Sequence, residues 1–218
     1  MNKHLVTSGI LAAIVFLFSA VTSASPRGDY YLVTITNLTR AESFTPILVA
    51  SHKRGVHLFE LGSAASDEMA QLAEGGNTTP LSGMLAANKS VTAISVSTGL
   101  LAPGASVTVK VSARGAHYIS LASMLIPTND AFFALDNVRV GEKTKTFYSP
   151  AYDAGTEMND EMCVDIPGPV CGGEGYSPNA GGEGYVHIHS GIHGIGDLSA
   201  ATYDWRNPVA KITVRRGE

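Results

Sequence analysis

Two acidic side chains in one short loop have the spacing of a cation site. Asp153 and Glu157 lie on either side of Gly155, so a tight bend at the glycine can turn both carboxylates toward a common point. Hard cations such as calcium bind carboxylate oxygens. Two carboxylates at such a short distance repel each other unless a positive charge lies between them. The loop therefore predicts a bound cation.

The chain around this loop has no basic side chain to neutralise the acids, since there is no Lys or Arg from Phe147 to Trp205. The acids of that segment are Asp153, Glu157, Asp160, Glu161, Asp165, Glu174, Glu183, Asp197 and Asp204. We therefore expect the counter-charge to be an ion, with calcium, magnesium and sodium all open. The alternative is that these acids are solvated loop residues or helix caps.

Three histidines form a second candidate site. His187 and His189 project from the same face of a predicted strand, and a turn at Gly191 can bring His193 back to them. Imidazole nitrogens suit zinc or copper, which makes a metal-dependent enzyme or a metal-binding protein one alternative function. The other interpretation is a set of hydrogen-bonded histidines that stabilises a polar loop.

The N-terminal residues have the pattern of a signal peptide. Lys3 and His4 precede an apolar run, and Thr22-Ser23-Ala24 supplies the small residues of a cleavage site. We expect residues 1–24 to be removed and residues 25–218 to form one secreted or periplasmic domain with no transmembrane segment; a retained membrane anchor is the alternative. In an oxidising compartment Cys163 and Cys171 are expected to form a disulfide rather than free thiols or soft-metal ligands.

Charge and motifs exclude several classes of function. The net charge of −4 gives no basic surface for nucleic acid or an anionic membrane. The chain also has no Gly-x-Ser-x-Gly sequence and no phosphate-binding loop that leads into a helix. Nothing in the sequence therefore supports an enzyme.

Short alternating segments rich in β-branched and aromatic residues predict an all-β fold. They recur between turn residues, from residues 30–39 near the start to 209–215 at the end, and one short helix is predicted between the cap Ser66 and Gly75. The pattern indicates an antiparallel β-sandwich of about eight strands with a long Gly-rich, acidic loop region after Gly141. Gly172–Tyr176 is repeated at Gly181–Tyr185, and two copies favour a flexible glycine loop over a calcium β-roll.

Two motifs together resemble the spondin N-terminal domain family, found in F-spondin, mindin and exported bacterial proteins. They are Ser-Met-Leu-Ile-Pro-Thr-Asn-Asp at residues 123–130 and Tyr-Asp-Ala-Gly-Thr-Glu at residues 152–157. The likeness runs from about Tyr31 to Arg216. It implies a C2-like β-sandwich with a calcium ion between loops at one end.

The resemblance assigns the calcium ligands to Asp130, Asp153 and Glu157. Family members more often have Asp at the position of Glu157, and a tryptophan commonly stands at the position of Ala131. Calcium takes about six to eight oxygens, so backbone carbonyls near Asp130 and water would complete the shell. The expected function is a non-enzymatic binding or adhesion module for a cell-surface or extracellular protein or glycan, with a purely structural envelope protein as a further alternative.

Overall fold

A computed structural model describes Met1 and residues 30–217, so the predicted leader, apart from Met1, lies outside the described residues. The strands are β1 Tyr30–Asn37, β2 Ser43–Phe44, β3 Leu48–His52, β4 Val91–Val96, β5 Ser106–Ser112, β6 Tyr118–Ile126, β7 Ala131–Arg139, β8 Lys145–Ser149, β9 Ala151–Asp153, β10 His187–Ile188 and β11 Ala210–Arg216. The helices are α1 Asp67–Gly75, α2 Thr79–Ala87, α3 Gly168–Cys171 and α4 Ala200–Tyr203.

The strands form two antiparallel sheets. The smaller sheet has the order β5-β1-β11-β8, and the larger has the order β10-β9-β7-β6-β3-β4, with β2 paired to β6. The C-terminal strand β11 lies between β1 and β8, so the last residues of the chain complete the smaller sheet. The 11 strands of the described residues confirm the predicted all-β sandwich and exceed the expected eight. The C2-like topology stays a prediction.

The main core lies between the two sheets. Val33 of β1 and Val214 of β11 come from the smaller sheet, and Leu121 of β6 and Phe133 of β7 come from the larger one. The buried positions of β1 alternate with partly exposed ones, as expected for a strand with one covered face. This apolar layer fixes the two sheets against each other.

Two helices cover the other face of the larger sheet. Met69 and Leu72 of α1 and Leu81 of α2 belong to a second buried cluster with Phe132 and Ala134 of β7. Strands β6 and β7 are therefore buried on both faces where they face the helices, and consecutive residues along them are buried instead of alternating with exposed ones. None of the helices in the described part of the chain is both long and apolar enough to span a membrane.

Helix α1 is capped by Ser66 as predicted and ends one residue later than predicted, because Gly75 is its last residue. The Ser66 hydroxyl accepts a hydrogen bond from the Met69 amide at 3.3 Å, and Gly76, in the left-handed conformation, ends the helix. Helix α2 was not predicted; it begins at Thr79 and has Pro80 in its first turn. The long region after Gly141 is less irregular than expected, because it contains β8 and β9.

Candidate metal centre

Asp130 lies where two loops distant in sequence meet at one end of the larger sheet. It ends the connection between β6 and β7, and the side chain of Thr128 closes that turn by donating to Leu125 and accepting from Ala131. Ala131 then pairs with Asp153 of β9. This register brings Asp130 against residues 154–157, and its carbonyl oxygen accepts a hydrogen bond from the Ala154 amide at 3.3 Å.

The two carboxylate oxygens of Asp130 have different surroundings. Oδ2 accepts hydrogen bonds from the amides of Thr156 at 2.8 Å and Glu157 at 3.2 Å. Asp130 is 0% exposed, so its Oδ1 is shielded from solvent, yet this oxygen has no hydrogen-bond partner among the described residues. A fully buried carboxylate oxygen without a partner is costly, so a ligand at this point would have a physical reason to bind.

Glu157 faces the same region. The residue is 3% exposed, and its Oε2 is also buried without a partner in the described part of the chain. Burial, and then the charges of Glu74 and Asp130, raise the pKa of Glu157 to about 8. Burial, and then the charge of Asp153, likewise raise the pKa of Asp130 to about 8. Both shifts mean that burial and the neighbouring acids disfavour the charged form of these carboxylates when no cation is bound.

Glu74 is a fourth acid at this site, and the sequence prediction missed it. It lies in the last turn of α1 on the buried face of the helix, and its Oε2 accepts a hydrogen bond from the Ser177 amide at 2.8 Å. Burial is the largest cause that raises its pKa. The sequence did contain a signal for this acid. Glu74 lies on an apolar helix face, at the C-terminal end where the helix dipole disfavours negative charge.

Asp153 is buried between the Asp130 region and the histidines. Its Oδ1 accepts from the Gly155 amide at 2.8 Å, and its Oδ2 accepts from the Asn159 side chain at 2.7 Å. On the opposite side of β9, His187 of β10 is its direct partner in the sheet. Asp153 thus lies at the boundary of two polar clusters.

The three predicted histidines have different environments. His189 is buried, with Nδ1 accepting from the Gly191 amide and Nε2 donating to Asn159, so both ring nitrogens are used within the protein. Burial, and then the charges of His187 and His193, lower the pKa of His189 to about 4. His193 is exposed, and its backbone amide donates to Glu161. Their role as joint metal ligands stays a prediction.

His187 instead lies beside two acids. Asp153, Glu183 and His187 each have one ligand atom within 4.8 Å of a ligand atom of the other two. Among the described residues, these three are the group whose spacing could hold a metal ion. The set contains neither Asp130 nor Glu157. Glu183 belongs to the second copy of the glycine-rich repeat, which the sequence indicated only as a flexible loop.

The predicted disulfide between Cys163 and Cys171 is present, so the two residues are neither free thiols nor soft-metal ligands. The loop that this disulfide closes, residues 163–171, follows the acidic loop of residues 153–157 closely in the chain. Glu161, just before Cys163, accepts hydrogen bonds from three consecutive backbone amides, of which those of Gly194 and Ile195 lie at 2.8 and 2.9 Å. Glu161 therefore stabilises the loop of residues 193–195.

Comparison with protein families gives a match over more than half of the chain. A family model described as Spondin_N matches residues 34–159, a range that includes Asp130, Asp153 and Glu157 and ends before His187. A search of curated proteins finds no match. The matched range covers strands β2 to β9 and the second half of β1.

Proposed function

The chain belongs to the spondin N-terminal domain family, and from this we propose that it is an exported calcium-binding β-sandwich that acts as a non-enzymatic binding or adhesion module. Its ligand would be a protein or glycan on a cell surface or in the extracellular space. Membership of the family supports a binding module in general. The calcium site rests on the geometry of the two loops.

One observation carries the calcium site: Asp130 Oδ1 and Glu157 Oε2 are both buried without a hydrogen-bond partner in the described chain. Burying one unpaired carboxylate oxygen costs several times the net free energy of an ordinary hydrogen bond, and here two lie in the same acidic region. A cation between them would satisfy both oxygens. The hydrogen bonds that Asp130 Oδ2 accepts from two backbone amides already hold the carboxylate in a fixed orientation for binding a cation.

The donor set favours calcium over softer metals. Asp130, Glu157 and the neighbouring Glu74 offer only oxygen atoms, and calcium accepts carboxylates of variable geometry together with backbone carbonyls and water. Magnesium demands a stricter octahedral arrangement, and zinc prefers nitrogen or sulfur ligands. Asp130 and Glu157 would bind the ion, with Asp153 and Glu74 adding negative charge nearby.

The ion's role would be to neutralise the acids and fix the shape of the loops at this end of the sandwich. Residues 127–130 and 154–157 come from different parts of the chain, and their carboxylates repel each other when they are deprotonated and no cation is bound. A fixed loop surface binds a partner with a smaller loss of conformational entropy. Ligand capture should therefore depend on calcium.

Calorimetric titration of chelator-stripped protein with calcium tests the site. The wild-type protein should bind one calcium ion, and the variants Asp130→Asn and Glu157→Gln should bind it much more weakly. Glu60→Gln is the matched control, since Glu60 is an exposed acid outside the cluster, and it should bind like the wild type. Absence of binding heat in the wild type would refute the calcium site.

A second experiment tests the binding module itself. Labelled protein would be applied to immobilised extracellular-matrix proteins and glycans, once with calcium and once with a calcium-specific chelator. The proposal predicts capture that the chelator removes and that Asp130→Asn lacks. Equal capture with and without chelator would show that the loops do not need the ion for recognition.

A further inference from the structure

We propose that Asp153, Glu183 and His187 form a second metal site, which takes zinc or a similar first-row divalent ion and is separate from the calcium site. Its ligands would be one imidazole nitrogen and two carboxylate oxygens, a donor set suited to such metals. Glu183 and His187 lie beyond the range that matches the family model. The resemblance counts Asp153 among the calcium ligands, whereas its Oδ1 lies 3.7 Å from His187 Nε2, so we assign Asp153 to this second site and leave Asp130 and Glu157 as the calcium ligands.

The distances within the set fit a metal better than a hydrogen bond. His187 Nε2 lies 3.5 Å from Glu183 Oε2 and 3.7 Å from Asp153 Oδ1. Nitrogen–oxygen hydrogen bonds are about 2.7–3.2 Å long. Two ligand atoms on one zinc ion, with bonds of about 2.0–2.2 Å and tetrahedral angles, lie about 3.3–3.6 Å apart. The two observed separations are therefore close to those of ligands that share a metal.

The hydrogen bond of the other ring nitrogen orients the imidazole for this role. His187 Nδ1 lies 3.1 Å from the Ile188 carbonyl oxygen, which can only accept, so Nδ1 carries the proton. When the ring is neutral, the lone pair of Nε2 therefore points at two carboxylates. That nitrogen is buried and has no hydrogen-bond partner in the described residues, although the side chain as a whole is 27% exposed. In metal-binding histidines, the N–H group of the second ring nitrogen commonly donates a hydrogen bond to a backbone carbonyl in this way.

The backbone fixes two of the three ligands by direct pairing. Asp153 and His187 are register partners in the ladder between β9 and β10. The second oxygen of Asp153 accepts from Asn159, whose own oxygen accepts from His189, and His189 is held by the Gly191 amide. This chain of hydrogen bonds orients the Asp153 carboxylate from behind, as outer-shell partners do at metal sites.

Glu183 is brought to the site by close backbone packing of glycines. The Gly184 amide donates to the Gly155 carbonyl at 2.9 Å. A Cβ atom on Gly182 would lie 2.4 Å from the backbone of Gly155, and one on Gly155 would lie 2.3 Å from the Tyr185 carbonyl oxygen. Only glycine allows this approach, so the second copy of the repeat places its glutamate against the Asp153 loop.

The first copy of the repeat provides a matched control. Glu174 occupies the same place in Gly-Gly-Glu-Gly-Tyr as Glu183, is exposed, and is not part of the set of three ligands. His193 is the corresponding control for the imidazole, since it is exposed and outside the set. Three protein ligands leave a further coordination position for water or for an anionic group of a partner.

The test is competition of the purified protein with a chromophoric chelator for zinc chloride, in saturating calcium so that the all-oxygen site is occupied. The wild type should bind one zinc ion. His187→Gln and Glu183→Gln should each weaken zinc affinity by more than the roughly 10–100-fold that loss of an outer-shell partner costs. Glu174→Gln and His193→Gln should keep the wild-type affinity, and all four variants should keep their response to calcium.

Two results would overturn the proposal. One is a wild-type protein without saturable zinc binding, which would leave His187 as a protonated ring paired with its two acids. The other is zinc affinity that falls with His193→Gln and not with Glu183→Gln, which would assign the metal to the three histidines. Nitrogen-15 NMR gives an independent readout: zinc should shift His187 Nε2 strongly and Nδ1 little. Unshifted Nε2 resonances at saturating zinc would also reject the site.

Discussion

Asp130 shows how one side chain can be fixed in position and still be unsatisfied. Oδ2 is held by two backbone amides of the 154–157 loop, whereas Oδ1 is buried without a partner in the described chain. The amides favour the charged form of the carboxylate, while burial and Asp153 oppose it, and the net effect raises its pKa. The residue therefore joins the loops at a free-energy cost that a cation would remove.

Asp130→Asn separates the structural role of the side chain from its role toward calcium. The amide oxygen can still accept the two backbone hydrogen bonds, and the side chain can no longer ionise. In chelator, the variant should be as stable as the wild type or more stable, by up to about 1–3 kcal/mol, the cost of an unsatisfied buried group. In calcium, the order should reverse, because only the wild type gains from the ion. Urea unfolding under both conditions measures the crossover; a variant less stable in both would contradict it.

The raised pKa values predict the pH dependence of the metal-free protein. The pKa of Asp130 rises from 3.8 to about 8 and that of Glu157 from 4.5 to about 8. Between about pH 4 and pH 8 the folded state therefore binds more protons than the unfolded state, so stability falls as pH rises through this window. Calcium should reverse the trend, since it binds the deprotonated carboxylates. Urea unfolding in chelator between about pH 5 and pH 8 measures it, and Asp130→Asn should show a smaller fall. A rise in wild-type stability over this range would contradict the account.

At the residue scale, sequence reasoning reached the acids that carry a motif and missed those that do not. Asp130, Asp153 and Glu157 belong to recognisable short motifs, and the structure brings their loops together; their role as ligands stays a prediction. Glu74 and Glu183 carry no such motif. Their positions depend on how α1 and the glycine-rich repeat pack against the 153–157 loop, which spacing along the chain does not determine.

The glycine-rich repeat acts as a packing element at the scale of secondary structure. A Cβ on Gly182 would meet backbone atoms of Gly155, and a Cβ on Gly173 would lie 2.2 Å from the Cys163 carbonyl oxygen. Backbone atoms cannot move aside as a flexible side chain can. The repeat was predicted to be a flexible loop, and its described residues instead lie against the metal-site loop and the disulfide loop.

Gly182→Ala should weaken the metal site without direct contact with an ion. The added methyl group overpacks the contact with Gly155, so we expect destabilisation of about 1–3 kcal/mol and weaker calcium binding. Gly83→Ala is the matched control, since nothing lies within 4 Å of the added Cβ and the residue is inside α2; it should stabilise the protein by up to about 1 kcal/mol. Chemical unfolding and calcium titration compare the two. Equal effects would contradict a packing role for the repeat.

Elements with one covered face were predictable, and those with two were harder to recognise. Strand β1 alternates buried and partly exposed residues, and the sequence predicted it. Strand β7 begins Ala-Phe-Phe-Ala-Leu and was not predicted, because the sandwich core covers one face and α1 and α2 cover the other. A continuous apolar run fits a buried strand and a buried helix equally well.

At the scale of the whole molecule, the site lies on connections of the larger sheet, which is buried between the smaller sheet and the helices. The two-sheet core contains apolar residues from nearly every long strand. The acidic loops at one end depend on charge. The sequence predicted this division between an apolar sandwich and a polar loop region, although it did not predict the helical layer over the larger sheet.

Calcium should stabilise the protein as a whole without changing its secondary structure. Binding only to the folded state adds about 2.7 kcal/mol at a free concentration of one hundred times Kd. For a domain of this size each kcal/mol raises Tm by about 2–4 °C, so an increase of about 5–10 °C is expected. Calorimetry measures the shift, and far-ultraviolet circular dichroism should remain that of a β protein in chelator. A Tm that does not respond to calcium would count against the site.

The most direct measurement is a crystal structure of the protein grown in calcium, with anomalous scattering used to locate the ion. The account predicts one calcium peak between the loops, with Asp130 Oδ1 and at least one Glu157 oxygen at about 2.3–2.6 Å. The contradicting result is a map without that peak at saturating calcium, with both oxygens hydrogen-bonded to water or to protein donors.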